Sequence, residues 1–396
     1  MDFDFLDRQL LDSSRNAIKW FKSIVDEVRP SPREMEQLCD GIRAYPHTAT
    51  LKEDFTLSAV DGSGEFPVLQ QDDIFLHFAT AAGATYRTVT AQQHKLVPER
   101  AIPPTSKQFI VLSDNDKVLR QSYRTFLQRS VDMDLPDLVE KSDYCEVFGQ
   151  FGNTIQPADV NWRNLALSKA SQVATHSYLL RSLAELAMAI RMLSQKPKYL
   201  LLDTSLVYFL LGESIYLPEL LKRYLITHAN AQGTGVVALC KSHTIPNGNL
   251  IGRHARDELG MPGHWYLRLP SAALGEPTPA FLKGKEIPPK LSVSYLFKFE
   301  PTAFPMRIDV DAAWWRAQIG GNEANEQEFF GNLDFTCHEV RSYGYPYPMH
   351  AAHRSASLTR QERKMLRDIV LRNAQHEGVG PMEFEVDPEE LHMSGM

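Results

Sequence analysis

The chain has 396 residues, 43% of them hydrophobic, which is enough to bury the cores of two or three domains or of one elaborated α/β domain. Its 42 lysines and arginines against 49 aspartates and glutamates give a formal charge of −7. This balance excludes a general cationic attraction to nucleic acid, so any grip on DNA must come from a local basic patch, a bound metal or a partner.

The sequence carries no signal for a membrane or for export. No run of 18 apolar residues predicts a transmembrane helix, and the first residues lack the basic start of a secretory signal. The four cysteines are far apart and fit no zinc-binding spacing. We therefore expect a cytoplasmic protein with reduced thiols and no membrane attachment.

Residues 1–45 predict an N-terminal helical extension. Apolar side chains recur at helical spacing from Phe3 to Val25, and a pair of prolines then interrupts the pattern. A second helix is predicted from about Pro32 to Ile42.

Strands and helices interleave through residues 46–375, which predicts a mixed α/β sheet flanked by helices. Strands are predicted at Phe55–Val60, Ile74–Ala79, Phe109–Leu112, Lys198–Leu202 and Gly235–Leu239, and helices over about 115–142, 163–195 and 217–230. The strand at Lys198–Leu202 is almost continuously apolar, which is typical of burial on both faces. The alternation in Tyr295–Phe299 and Met306–Val310 predicts an antiparallel pair that is covered on one face.

Three later segments complete the chain. Residues 243–290 are rich in glycine, proline and histidine and are predicted to be an insertion or a long loop. The last helix is predicted from about Met349 to Asn373. Residues 376–396 form an acidic tail, with six carboxylates and no lysine or arginine from Glu377 onward.

Two aspartates stand where predicted strands end. Asp61 opens an Asp-Gly-Ser string that is predicted to be a turn, and Asp203 directly follows an apolar strand. Carboxylates in this position lie where α/β folds bind ligands, and clustered oxygen ligands are what hard divalent cations need. Two alternatives stay open, since Asp-Gly-Ser is a good turn in its own right and Asp203 or Thr204 is a good helix N-cap.

Two further charged side chains are candidates. Glu185 lies near the border of the apolar face of its predicted helix, where it is either a site carboxylate or the surface ion-pair partner of Arg181, one turn away. Lys241 follows the strand at Gly235–Leu239 and either meets a phosphate as a point charge or is an ordinary solvated lysine.

The string from Gly344 to Arg354 places a tyrosine, two histidines and an arginine where prolines lead from a loop into a helix. His350 and His353 share one helix face, and either could bind a metal or act as an acid or base, because histidine titrates near neutral pH. Tyr345 is a candidate for orienting a phosphate or a water. In the alternative interpretation the prolines shape a loop whose aromatic rings pack, and His353 completes a hydrogen bond of the core.

Together these strings resemble the NurA family of DNA nucleases over about residues 55–365. The matching strings are Val60-Asp61-Gly62-Ser63, Leu202-Asp203-Thr204-Ser205-Leu206, Cys240-Lys241-Ser242, and Tyr345-Pro346-Tyr347-Pro348 with Ala352-His353. One departure is Thr204, because the family commonly has glycine after the central aspartate.

This resemblance implies a ribonuclease H-like fold for residues 46–375, as a NurA-like nuclease domain, and a site that uses Mn²⁺ or Mg²⁺. The resemblance assigns metal binding and catalysis to Asp61, Glu185, Asp203 and His353, with Tyr345 in the same site. The implied reaction is hydrolysis of DNA phosphodiesters, in which His353 is either a metal ligand or a proton donor to the leaving oxygen.

The resemblance also implies partners, namely DNA, a second copy in a homodimer, and a hexameric HerA-type ATPase that translocates DNA. The implied role is DNA-end processing or defence against foreign DNA. A charge of −7 agrees with this expectation, since a motor that grips DNA relieves the nuclease of doing so. Two other interpretations stay open: a catalytically silent NurA-like adaptor or regulator of such an ATPase, and a metal phosphoesterase that acts on small nucleotides.

Overall fold

The structure is a computed structural model. It describes residues 8–28, 31–46, 53–89, 95–99, 102–149, 156–165, 172–206, 216–241, 245, 248–276, 291–337 and 344–379.

A ten-stranded mixed sheet organises the described residues. Its strands are β1 (Ile42–Ala44), β2 (Thr56–Gln71), β3 (Ile74–Val89), β4 (Lys95–Pro98), β5 (Ser106–Ser113), β6 (Tyr199–Leu202), β7 (Gly235–Cys240), β8 (Trp265–Arg268), β9 (Ser292–Lys298) and β10 (Met306–Asp311). Their order across the sheet is β1-β8-β9-β10-β7-β6-β2-β3-β4, and β5 pairs with β3. The pairs β2–β6 and β6–β7 are parallel, and the others are antiparallel.

Helices precede the sheet and cover both of its faces. They are α1 (Arg8–Val28), α2 (Pro32–Cys39), α3 (Asp116–Val131), α4 (Leu135–Glu140), α5 (Tyr144–Gly149), α6 (Val173–Met192), α7 (Leu217–Ala231), α8 (Gly248–Asp257), α9 (Ala312–Gln318), α10 (Glu323–Phe335), α11 (Tyr347–Ala356) and α12 (Arg360–His376). None of the described helices is long and apolar enough to span a membrane.

The two faces of the central strands belong to two different hydrophobic cores. Val60 and Leu202 pack with apolar side chains of α3, α4, α6 and α7, whereas Ala59 and Leu201 pack with those of α9, α10 and α11. This alternation is the one that extended backbone imposes. All four residues of β6 are buried, which confirms the prediction of a strand covered on both faces.

The N-terminal region is helical, as predicted, with one correction. α2 ends at Cys39, and Ile42 starts β1 instead of ending a helix. Pairing with Leu267 of β8 gives the backbone of Ile42 its place at the edge of the sheet. Tertiary pairing therefore overrides the local helical pattern.

The predicted turn at Asp61-Gly62-Ser63 is wrong, because β2 continues to Gln71. Asp61 pairs with Ala82 of β3, and Ser63 pairs with Thr80. A long antiparallel partner thus supplies the backbone hydrogen bonds that a turn would leave to solvent.

The segment 243–290 contains regular structure where a loop or insertion was predicted. α8 and β8 lie within it, and β8 pairs with β1 on one side and β9 on the other. Strand β8 is only four residues long, so its flanking glycines and prolines dominated the sequence pattern.

The pair β9–β10 is antiparallel, as predicted, but every residue of both strands is buried. The expectation of one covered face is therefore wrong. Neighbouring residues show the reason: Leu296 packs in a core with Ile251 of α8, and Phe297 packs with Phe330 of α10 on the other face.

The predicted last helix is in fact two helices. α11 ends at Ala356, and α12 begins at Arg360 with Thr359 as its N-cap. Thr359 and Glu362 form a capping box, which fixes a new helix start. The predicted helix over 163–195 likewise begins only at Val173. The acidic tail lies outside the described residues from position 380 onward.

Candidate active site

Two parallel neighbouring strands place the two aspartates side by side. Val60 of β2 is in register with Leu202 of β6, and Asp61 and Asp203 follow these two residues. Both side chains are expected on the face that α11 covers, because Ala59 and Leu201, two residues earlier, pack on that face. β6 stops at Leu202 while β2 continues, so the flank of β2 beyond Val60 is open to side chains from elsewhere.

Gly62 allows helix α6 to lie directly against this flank. A Cβ atom on Gly62 would stand 2.6 Å from the carbonyl oxygen of Arg181 and 3.0 Å from Cβ of Glu185. A side chain there would push α6 away from β2. The glycine therefore serves close approach of helix and strand, not a turn.

Glu185 is buried at the centre of the site, only 3% exposed. Its Oε1 accepts a hydrogen bond of 3.0 Å from the backbone N–H of Asp203. Burial, followed by the nearby carboxylates of Asp61 and Asp203, raises its pKa to about 8. The structure thus brings Glu185 to both aspartates and does not support the alternative of a helix-surface ion pair.

Helix α11 brings His353 to the same place. Its Nδ1 donates to Oδ2 of Asp61 over 2.6 Å, and its side chain is 53% exposed while that of Asp61 is 2% exposed. His350 contacts the ring of Tyr347, and Tyr347 packs against Tyr86. Of the two histidines on this face, the structure brings His353 to the carboxylates, and the aromatic packing expected for the loop involves Tyr347.

Tyr345 and Lys241 complete the aspartate side of the site. Nζ of Lys241 lies 3.0 Å from Oδ2 of Asp203 and 4.5 Å from the centre of the Tyr345 ring. Burial raises the pKa of Tyr345 well above its usual range, and the carboxylates of Asp203, Asp61 and Glu185 raise it further. The Tyr345 hydroxyl therefore stays protonated and acts as a neutral group that can donate or accept a hydrogen bond.

Arg181 is a site residue that the sequence suggested only as a surface partner of Glu185. Its Nη2 lies 3.4 Å from Oδ1 of Asp61 and 4.0 Å from Oδ2 of Asp203. The sequence could have identified Arg181 by its position one turn before Glu185 on α6, because this spacing places both side chains at one end of the sheet.

The segment after Asp203 is held by a buried carboxylate that sequence reasoning missed. Residues 203–206 do not begin a helix, so the N-cap alternative for Asp203 is wrong. Asp309 of β10 accepts the backbone N–H of Leu206 over 3.1 Å. Its carboxylate also receives both a hydroxyl bond of 2.7 Å from Ser294 and two guanidinium bonds of 2.9 Å from Arg307. No sequence motif marks Asp309, since its partners come from three separate segments.

Burial separates the charges of the site into two layers. Asp61, Glu185 and Asp203 lie inward, with Asp203 the most accessible at 15% side-chain exposure. Arg181, Lys241 and His353 lie outward, with side chains 43%, 46% and 53% exposed. The three carboxylates therefore lie beneath an outer, solvent-facing layer of Arg181, Lys241 and His353, which we call the rim.

The donor chemistry of this site fits a hard divalent cation, although no metal cluster is preassembled. Within the part of the chain that the structure describes, no three histidine, cysteine, aspartate or glutamate side chains are grouped closely enough to hold a metal ion. Arg181 and Lys241 instead compensate the aspartates. Carboxylate oxygens and an imidazole are nonetheless ligands suited to Mg²⁺ and Mn²⁺. Burial raises the pKa of Glu185 most, and the nearby carboxylates of Asp61 and Asp203 raise it further.

Comparison with families of known proteins finds no matching family model, and no curated protein matches the sequence. Solved structures do match. The NurA nuclease from Sulfolobus solfataricus superposes with a TM-score of 0.50 at 12% identity, over 97% of this chain and 100% of that chain. A structure of NurA with manganese covers 91% of this chain and 98% of its own at 11% identity, with a TM-score of 0.40. One of NurA bound to dAMP and manganese covers 89% and 95% at 11% identity, with a TM-score of 0.38.

The likeness to the Sulfolobus nuclease establishes the fold over nearly the whole chain. It confirms the predicted mixed sheet flanked by helices, of the ribonuclease H-like kind, and the resemblance to NurA at the level of the fold. At 12% identity, the chemistry has to be argued from the residues themselves.

Proposed function

We propose that this chain is a NurA-family, divalent-metal-dependent DNA nuclease that hydrolyses phosphodiester bonds. One observation carries the proposal: β2, α6 and β6 bring Asp61, Glu185 and Asp203 together, and α11 adds His353 on Asp61. The fold that positions these side chains is that of a NurA nuclease.

The metal-binding groups of the proposal are the carboxylates of Asp61, Glu185 and Asp203, with His353 beside them. A bound Mn²⁺ or Mg²⁺ supplies charge neutralisation at the scissile phosphate and activation of a water. Glu185 accommodates such a cation by losing its proton, since its raised pKa arises from burial and from the two aspartates.

The remaining residues act on the substrate. Arg181 and Lys241 face solvent and can turn from the aspartates to phosphate oxygens. His353 is oriented by its Nδ1 hydrogen bond to Asp61, and its Nε2 lies 3.4 Å from the Ser357 hydroxyl. Nε2 is the ring nitrogen that would move a proton at the leaving oxygen. Tyr345 remains protonated, and its buried hydroxyl, which has no hydrogen-bond partner among the described residues, would donate to an oxygen of the substrate or of a water.

The openness of the rim favours a polymeric substrate over small nucleotides. The side chains of Arg181, Lys241 and His353, which surround the carboxylates, are about half exposed. A phosphoesterase for small nucleotides would enclose most of its ligand in a pocket. Access along a solvent-facing edge suits a DNA chain.

A second candidate function, a catalytically silent NurA-like adaptor or regulator, is favoured by one observation. The aspartates already have cationic partners in Arg181 and Lys241, and such pairs can replace a metal altogether. In that case the carboxylates stabilise the fold and perform no chemistry.

The partners of the proposal are DNA, a second copy of the chain and a hexameric HerA-type ATPase, in DNA-end processing or defence against foreign DNA. Helix α1 offers a docking surface for the ATPase, because Ile18, Trp20 and Phe21 are 66%, 70% and 64% exposed. Deletion of residues 1–28 removes α1 and spares β1. We expect this deletion to abolish co-elution with the ATPase, and co-elution unchanged by it would exclude α1 as the docking element.

The nuclease proposal is tested with the purified chain and labelled linear and circular DNA. Reactions contain Mn²⁺, Mg²⁺ or EDTA, with and without the ATPase, and they compare the wild type with Asp61→Asn. We expect metal-dependent cleavage by the wild type alone.

The possible results separate the candidates. Cleavage of linear DNA only indicates an exonuclease, and cleavage of both forms indicates an endonuclease. Hydrolysis of mononucleotide esters without DNA cleavage supports the small-nucleotide phosphoesterase. If no phosphodiester is hydrolysed under any condition and Asp61→Asn behaves as the wild type, the silent adaptor replaces the nuclease.

A further inference from the structure

Helix α12 concentrates positive charge in an acidic protein. Between Arg360 and His376 it carries five lysines and arginines against two acidic residues, whereas the whole chain has a charge of −7. One of the two acids, Glu362, is engaged in the capping box, where its carboxylate accepts the backbone N–H of Thr359 over 2.7 Å.

Four of these basic side chains share one side of the helix. At about 100° per residue, Arg360, Arg363, Lys364 and Arg367 fall within an arc of about 100°, and both acidic residues fall outside it. Three of the four are exposed, and Arg367 is half-buried. We call these four residues the basic stripe.

The basic stripe is fixed to the sheet that carries the site. Val370 of α12 packs with Val68 of β2 and Phe78 of β3, and Leu366 packs against the same cluster. β2 is also the strand of Asp61. The stripe and Asp61 are therefore anchored to the same strand.

The chain path also brings the stripe close to His353. The hydroxyl of Ser357 lies 3.4 Å from Nε2 of His353, and Arg360 follows Ser357 by three residues. Three residues span at most about 11 Å. One strand of duplex DNA advances about 3.4 Å per nucleotide, so the stripe begins within about five nucleotides of His353.

We propose that the basic stripe on α12 binds backbone phosphates of the DNA strand that enters the carboxylate site. The inference rests on the proposed nuclease function and adds to it a surface for the flanking substrate. One arginine guanidinium group can donate two parallel hydrogen bonds to two oxygens of one phosphate. From Arg360 to Arg367 the helix rises about 10.5 Å, which matches about three phosphates of one strand. A cluster of basic residues near His353 is not expected from the acidic composition of the chain. Binding of a DNA strand explains why the cluster lies there.

The test measures DNA binding by fluorescence anisotropy in EDTA, which prevents cleavage. The probe is a labelled duplex of about 20 base pairs, titrated at several salt concentrations. The variant is R360Q/K364Q, at two exposed positions of the stripe. The matched control is K117Q/R129Q, which removes one lysine and one arginine from exposed positions of α3. α3 packs in the core on the other face of the sheet from Phe78.

We expect R360Q/K364Q to bind the duplex about tenfold or more weakly at 50 mM salt. The slope of the logarithm of affinity against the logarithm of salt concentration should fall in size by about 1.8, because the variant neutralises two fewer phosphates. K117Q/R129Q should match the wild type in both quantities. Equal slopes for the two double variants would overturn the proposal. Polyglutamate serves as a second probe: if R360Q/K364Q lost binding to polyglutamate but still bound DNA as the wild type does, the stripe would bind an acidic protein partner and the proposal would be overturned. Circular dichroism melts confirm that both variants fold.

A second readout separates this inference from the nuclease proposal. The p-nitrophenyl ester of thymidine 5′-phosphate has a single phosphate, so a molecule that is hydrolysed at the carboxylates has no flanking phosphate for the stripe to bind. We expect R360Q/K364Q to hydrolyse this ester in Mn²⁺ at the wild-type rate, while its cleavage of long DNA falls. If the wild type hydrolyses no ester and no DNA, the nuclease proposal fails, and the anisotropy result still decides whether the stripe binds DNA.

Discussion

Nδ1 of His353 lies 2.6 Å from Oδ2 of Asp61, although 292 residues separate the two in sequence. The contact joins β2, near the start of the sheet, to α11, near the end of the chain. It connects an exposed imidazole to an almost fully buried carboxylate. The consequences of this pair can be measured.

Substituting the carboxylate should stop the reaction without unfolding the protein. Asp61→Asn keeps the shape of the side chain and an acceptor for His353, but it removes the charge that a metal requires. We expect the rate of DNA cleavage in Mn²⁺ to fall about 100-fold or more, since a lost ligand removes several kcal/mol of charge stabilisation. The checks are a gel-based cleavage assay and isothermal titration with Mn²⁺. Full activity of this variant with unchanged Mn²⁺ affinity would contradict the assignment.

The two histidines of α11 provide a matched comparison. His353→Gln removes the imidazole on Asp61, and we expect cleavage to slow about 100-fold or more, as for the loss of an acid or base group. His350→Gln removes an imidazole that contacts Tyr347 instead, and its rate should remain within about twofold of the wild type. Similar losses in both variants would show that α11 acts through its packing.

Glu185 should make the stability of the metal-free protein depend on pH. Its pKa is about 8 in the folded state and 4.5 as the reference, so the folded state binds more protons between these values. The stabilising contribution is fully present below pH 4.5 and is lost as pH rises through about 8. The loss amounts to about 3–5 kcal/mol.

Glu185→Gln isolates this effect, because an amide oxygen can still accept the Asp203 N–H. In EDTA, the free energy of unfolding of E185Q relative to the wild type should rise between pH 5 and pH 8, as followed by urea denaturation. Mn²⁺ should stabilise the wild type and not E185Q. If the difference in free energy of unfolding between E185Q and the wild type stayed constant with pH, the pKa of Glu185 would not be raised in the folded state.

Gly62 should tolerate no side chain. A Cβ atom there would stand 2.6 Å from the Arg181 carbonyl, whereas a Cβ on Gly64 would stand 3.3 Å from the carbonyl of Ser177. We expect Gly62→Ala to lower the free energy of unfolding by about 1–3 kcal/mol through overpacking and to reduce cleavage, because α6 carries Glu185. Gly64→Ala is the control and should cost less. Chemical denaturation together with cleavage assays compares the two.

Asp309 should matter for stability and for the position of Asp203. Asp309→Ala removes the carboxylate that contacts Arg307, Ser294 and the backbone of Leu206. We expect the free energy of unfolding to fall by about 3–5 kcal/mol, as when one partner of a buried ion pair is lost. Arg307→Met combined with Asp309→Leu should recover part of this stability but not cleavage, since Leu206 then still lacks its acceptor. Recovery of both would show that Asp309 does not position the segment after Asp203.

Much of the fold and part of the site could be predicted from the sequence, because local patterns carry them. The continuous apolar run before Asp203 predicts a strand buried on both faces, and the structure has one. The same pattern puts Asp203 at a strand end. The motifs indicated the NurA resemblance, which the fold supports. Strand β8 was not predicted, because its four residues are too few to show the alternation that identifies a strand.

Tertiary structure alone decided which side chains meet. The sequence predicted a turn at Asp61, but pairing with β3 extends the strand through it. Spacing suggested Arg181 as a partner of Glu185, yet the close approach at Gly62 buries Glu185 and directs Arg181 to Asp61. Asp309 had no motif at all. Local propensity depends on near neighbours in the chain, whereas burial, pKa and ion pairing depend on neighbours brought together from distant positions.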